Sequence, residues 1–176
     1  LQVAINPGAI AGGSGAQYFI GDFDGESFTL DEEIARDNVQ WVDDGPDFYA
    51  AMSWDNIPAE DGRRLWVGWM SNWDYASHLP VSPWRGALSL PRSLHLTPCD
   101  GTLRLTQQPV NEYQTLRDTH THLDARPIDN EIIPLRGEGI AGTTLELKAN
   151  IEPGTANSVG LSVRVGKDEQ TLIGYD

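Results

Sequence analysis

The chain has 176 residues, with 26 Asp and Glu against 12 Lys and Arg, for a formal net charge of −14. That excess of acid argues against nucleic-acid and anionic-membrane partners, which need clustered Lys and Arg, and it suits a neutral ligand such as a sugar. Cys99 is the single cysteine, which excludes an internal disulfide and a zinc cluster built on several cysteines.

A chain of this size can bury a core, since ~150 residues hide roughly two-thirds of their unfolded surface. No run approaches the ~18 apolar residues of a membrane helix, and no secretory leader opens the sequence. Residues 1–5 read as a strand already under way, and residues 171–176 as a strand with no partner after it. Both ends therefore predict an internal piece of a longer chain, with targeting signals outside it.

The glycine-rich loop over residues 7–15 comes next. Its Gly12-Gly13-Ser14-Gly15 core lacks the Lys that closes a phosphate loop, and a strand over residues 17–23 follows it rather than a helix. It reads as a hairpin loop. Asp22 and Asp24 would share one strand face, but Asp24-Gly25 is a turn signal before residues 27–30. Residues 47–54 form the next strand, ended by Asp55-Asn56-Ile57-Pro58, and residues 59–62 turn into a strand over 64–70. Short strands joined by short turns, with almost no helical period, predict a sandwich, a barrel or propeller blades.

Five of the six tryptophans fall between positions 41 and 73, at Trp41, Trp54, Trp66, Trp69 and Trp73, and Trp84 follows closely. Large rings bury well, so core packing is the first reading, and Trp66 reads as core. The run Trp69-Met70-Ser71-Asn72-Trp73-Asp74-Tyr75 also interleaves rings with Asn and Asp. A sugar is bound by such a set: a ring stacks on its apolar face while polar groups meet its hydroxyls.

His120 and His122 could share a strand face, yet no third ligand lies near them in sequence, so no metal site is expected. No Gly-x-Ser-x-Gly elbow is present. A helix is predicted around residues 110–117, after Pro109, a residue tolerated at a helix start. Residues 143–151 and 160–165 then alternate with period two, and Gly166-Lys167-Asp168 makes a turn. Clean alternation means one face buried and one wet, as in an antiparallel sandwich. The chain thus divides into residues 1–109, a linker helix over 110–118 and a second β-domain over 119–176.

At several of these stretches the chain resembles glycoside hydrolase family 32, the β-fructofuranosidases that include levanases, exo-inulinases and invertases. The resemblance is carried by residues 5–8 and 12–25, by Asp44-Gly45-Pro46-Asp47-Phe48-Tyr49-Ala50, by Trp66-Val67-Gly68-Trp69-Met70-Ser71-Asn72-Trp73, by residues 83–92 and by residues 103–117. Residues 119–176 resemble the family's C-terminal sandwich more weakly. The resemblance implies an all-β fold: the last blades of a five-bladed propeller over 1–109, then part of a β-sandwich. It also implies a retaining hydrolase of terminal β-fructofuranosyl linkages in levan, inulin or sucrose, secreted and without cofactor.

Retaining chemistry needs a nucleophile and an acid/base, two carboxyls ~5 Å apart. The family motifs that carry them do not occur here: neither Arg36-Asp37 nor Arg117-Asp118 is followed by Pro, and Cys99 follows Pro98. No catalytic residue is therefore assigned, and the propeller segment N-terminal to this piece is expected to supply them as its partner. The resemblance carries over only substrate contacts, at Asp47, Tyr49, Asn72 and Trp73. Two other classes compete with this reading, a non-catalytic carbohydrate-binding module and a purely structural β-domain.

Overall fold

The computed structural model describes residues 1–31 and 39–175, so the Arg36-Asp37 pair lies outside the described residues. The fold is all-β, with ten strands and three short 3₁₀ turns among the described residues. It divides into two compact units, Leu1–Asp118 and Thr119–Asp176.

In the first unit, β1 (Gln2–Ile5) and β2 (Gly15–Tyr18) pair antiparallel around the glycine-rich loop. Next come β3 (Gly21–Phe23) and β4 (Phe28–Leu30), a hairpin whose turn is made by Asp24-Gly25. The Asp24 carboxylate accepts the backbone N–H groups of Ser27 at 2.7 Å and Glu26 at 2.8 Å. Those bonds hold its carboxyl below the usual range, and Gly25 takes φ of 103°. Asp24 is thus a turn former, occupied by its own hairpin.

Four strands then form one antiparallel sheet in chain order: β5 (Tyr49–Ser53), β6 (Arg64–Trp69), β7 (Arg92–Cys99) and β8 (Thr102–Pro109). A four-stranded antiparallel meander is the building plan of a propeller blade. The β7–β8 hairpin turns on Asp100-Gly101, both at positive φ, the geometry that two-residue hairpin loops require. The core lies where this sheet meets β2: Ala16, Tyr18, Val42, Phe48, Ala51 and Trp66 are buried together, with Ile20, Leu94 and Leu105 packed against them. Trp66 is only 5% exposed, and its indole N–H donates to Gln107 Oε1 at 3.1 Å.

The predicted helix is a 3₁₀ helix, Asn111–Leu116, and it belongs to the first unit by compactness. It carries no buried residue of its own, so no apolar stripe favours the wider α-helical turn. It is tied back by Arg63, whose guanidinium bridges Asp61 and Glu112. Buried Val110, just before it, donates its N–H to the Pro91 carbonyl.

The second unit holds a 3₁₀ turn, Leu135–Glu138, and one antiparallel pair, β9 (Val159–Val163) with β10 (Thr171–Tyr175). The alternating stretch 143–151 differs from expectation: it forms no ladder among the described residues. Alternation sets which face a strand would bury, but a strand exists only where a second backbone pairs with it.

Candidate functional site

The geometry begins at Phe48. Its φ is 91°, and that of Ala50 is 50°, positions that side chains with a Cβ rarely adopt. Three neighbours hold Phe48 there. Its ring packs over Gly68, where an added Cβ would sit 2.8 Å from the ring. Trp66 lies 5.7 Å away, centroid to centroid. The Arg92 guanidinium caps the ring at 4.0 Å, and is itself fixed by Asp43 at 2.9 Å and Gln107 at 3.1 Å. Phe48 is therefore 1% exposed, while its neighbours Asp47 and Tyr49 are half-buried. The β5–β6 register shifts between Tyr49 and Met52, a bulge of the kind that re-aims side chains beside functional sites.

An aromatic row crosses the end of β6. Tyr49 and Trp69 have centroids 6.3 Å apart at 60°, and Trp69 and Trp73 lie 5.0 Å apart at 56°. Such tilted arrangements suit ring quadrupoles. Trp73, at the end of the row, is 57% exposed. Gly86, with φ of 83°, lets the following loop pass close to the Trp69 indole N–H.

The turn that presents Trp73 is organised by Asn72. Its Nδ2 donates to the carbonyls of Gly12 (3.1 Å), Ser14 (3.1 Å) and Pro46 (2.7 Å), and its Oδ1 accepts from the N–H groups of Ser14 (3.1 Å) and Asp74 (3.0 Å). The Ser14 hydroxyl in turn accepts the Trp73 N–H at 3.2 Å. The glycine-rich loop is thus the dock for residues 72–74. Asn72 is 1% exposed with its amide engaged on both sides. Asp47, Tyr49 and Trp73 keep accessible surface, and Asp47 accepts a hydrogen bond from the Tyr75 hydroxyl. Burial, then that bond and the Asp47 charge, push the Tyr75 phenol up to about 12.

Sequence reasoning placed Tyr75 in the aromatic run but gave it no contact, and did not single out Ser14 as part of this site. Tyr75 had a signal, its spacing two residues after Trp73; Ser14 had none, because only the folded chain brings it to Trp73. Beside the row, Met70, Leu79, Val81, Trp84 and Ala87 line an open cavity of about 540 Å³, and Trp84 is 75% exposed. Among the described residues no group of three or more His, Cys, Asp or Glu side chains is gathered for a metal. His120 is exposed, and so is His122, 3.7 Å from Asp124.

The levanase of Bacillus subtilis (strain 168) is 44% identical over 181 residues, covering 100% of this chain and 26% of that protein. An extracellular exo-inulinase of Aspergillus awamori is 34% identical, covering 100% of this chain and 34% of that protein. The crystal structure of exo-inulinase from Aspergillus awamori superposes with a TM-score of 0.59 at 36% identity, over 65% of this chain and 23% of that one. A fructofuranosidase from Schwanniomyces occidentalis complexed with fructosylnystose gives 0.54 at 40% identity, over 62% of this chain and 21% of that one. The chain spans about a quarter to a third of the length of these curated relatives. Residues 1–109 match the profile of the glycosyl hydrolases family 32 N-terminal domain, and the chain belongs to that family.

Proposed function

We propose that these residues form the sugar-facing side of one blade in a secreted, retaining glycosidase that removes terminal β-fructofuranosyl units from levan, inulin or sucrose. One observation carries this reading: an exposed indole, Trp73, is held on a turn that is bonded to the segment bearing the Asp47 carboxylate. An exposed ring and a carboxylate acceptor on segments bonded to each other are what a furanose needs, one partner for its apolar face and one for its hydroxyls. The names of the relatives, levanase and exo-inulinase, supply the substrate class, and two exo-inulinases named extracellular support secretion.

In this reading Trp73 stacks on the terminal fructosyl ring and Asp47 accepts its hydroxyl hydrogens. Tyr49 backs the row through Trp69. Asn72 fixes the turn without touching sugar. The nucleophile and the acid/base act from a part of the protein other than these residues, since retaining cleavage needs two carboxyls ~5 Å apart acting in turn as nucleophile and proton shuttle. The test is hydrolysis of levan and of inulin by the complete gene product and by the 176-residue chain alone. Activity in the first and none in the second is expected. Turnover by the 176-residue chain, or none by the complete product on any β-fructoside, overturns the reading.

A further inference from the structure

We propose that Tyr75 is a positioning residue: its hydroxyl holds the Asp47 carboxylate in the one orientation that receives the sugar, and so sets affinity for the terminal fructosyl unit. The inference rests on the reading of Asp47 as a sugar acceptor. It starts from the way residues 72–75 grip the segment 46–47 at two points. Asn72 Nδ2 bonds the backbone at Pro46, and the Tyr75 hydroxyl bonds the side chain at Asp47. The first bond fixes where the aspartate backbone runs. The second fixes where its carboxylate points.

An aspartate on a backbone irregularity has free rotation about its side-chain bonds unless something holds it, and the next residue, Phe48, has φ of 91°. The Tyr75 hydroxyl engages Oδ1. Oδ2, the other oxygen of the same group, is left to accept from a ligand. Tyr75 is itself anchored: its N–H donates to the Asn72 carbonyl at 3.2 Å, and its ring is half-buried. The same turn carries Trp73 two residues earlier, so one short segment fixes both the ring and the orientation of the carboxylate. Ordering the acceptor before the sugar arrives spares the rotamer entropy that binding would otherwise have to overcome. In this bond the phenol donates, so the carboxylate remains an acceptor for hydroxyls.

The test uses the complete gene product with an inulin or levan oligosaccharide as the probe. Tyr75→Phe is expected to raise KM about tenfold, with a smaller fall in kcat, as loss of one charge-assisted bond implies. In an Asp47→Asn background the same change should add less than about twofold, because the two residues act through one group. Where Phe at 75 destabilises the fold, 4-fluorophenylalanine at 75 keeps the ring filled without a donor and should reproduce the loss. 4-Aminophenylalanine, which restores a donor, should recover KM to within about twofold of the parent. An Asp47→Asn effect on KM together with no effect at Tyr75, additive effects of the two changes, or no recovery with the amino analogue would each overturn the positioning role while leaving the sugar site standing. A folded Asp47→Asn variant with unchanged KM would sink the sugar site itself.

Discussion

The side-chain amide of Asn72 donates to the Pro46 carbonyl at 2.7 Å, joining segments 26 positions apart. The same amide reaches Gly12 and Ser14. Three segments that carry the candidate site therefore depend on one side chain with no exposed surface of consequence. Asn72→Ala should destabilise the fold by about 3 kcal/mol, read as a sharply lower urea midpoint, since it strands several buried donors and acceptors at once. Asn72→Asp, which keeps the acceptors but loses the donors, should also destabilise. An Asn72→Ala chain with an unchanged midpoint would show that these bonds add nothing to the fold.

Gly13 and Gly62 have similar left-handed backbones, with φ of 59° and 67°, but very different surroundings. A Cβ at Gly13 would lie 2.0 Å from Asn72 Oδ1 and within 2.8 Å of the Asp74 carboxylate, whereas at Gly62 the nearest atom is 3.9 Å away. Gly62→Ala should cost about 1 kcal/mol, the conformational part alone. Gly13→Ala should cost at least twice as much, about 2–3 kcal/mol, because the clash adds to the backbone strain. Equal losses in thermal melts would mean the dock yields freely.

Trp66 and Trp73 separate packing from ligand contact. Trp66→Ala removes a ring that is 5% exposed and should cost about 3–5 kcal/mol of stability. Trp73→Ala removes a ring that is 57% exposed, so the melting temperature should move little while KM for a fructan oligomer rises in the complete gene product. An early melt with normal kinetics in the Trp73 variant would return that residue to the core.

Tyr75 predicts a response to alkali. Its folded-state value is raised from 10.0 to about 12. A raised value means the unfolded chain loses the phenol proton first, so the stability this group contributes is intact below pH 10 and fades as pH rises toward about 12. Unfolding free energy followed across that window should fall less steeply in Tyr75→Phe than in the parent. Parallel curves would remove the phenol from the alkaline transition.

Much of the fold was legible because short-range chemistry decides it. Asp24-Gly25 reads as a turn from two residues, and the carboxylate meets its own hairpin as that pair predicts. Trp66 reads as core and is core. The strands at 49–53 and 64–69 follow from apolar runs cut by Asp, Pro and Gly. Asn72 was not legible as a structural residue. An Asn between aromatics has the composition of a sugar contact, and nothing local reveals that its partners lie at positions 12, 14 and 46. Residues 143–151 fail for a related reason: the pattern marks a face, while pairing depends on backbone from elsewhere. At 110–117 the Pro-led start was legible, but the turn is 3₁₀ and six residues long, because no apolar stripe supports a longer helix.

The bond from Ser14 to Asn72 closes a ring of chain 58 positions around. Closure entropy grows only with the logarithm of the enclosed length, about 0.6 kcal/mol per doubling. Several hydrogen bonds then share that single closure, so the dock should open and shut as a unit. The ring also contains the β5–β6 connection, whose tip at Ala59 and Gly62 is exposed. That tip can lengthen over evolutionary time at almost no thermodynamic penalty to the dock, while one residue inserted between Gly12 and Ser14 would break the register of the bonds that residues 72 and 73 make to Gly12 and Ser14.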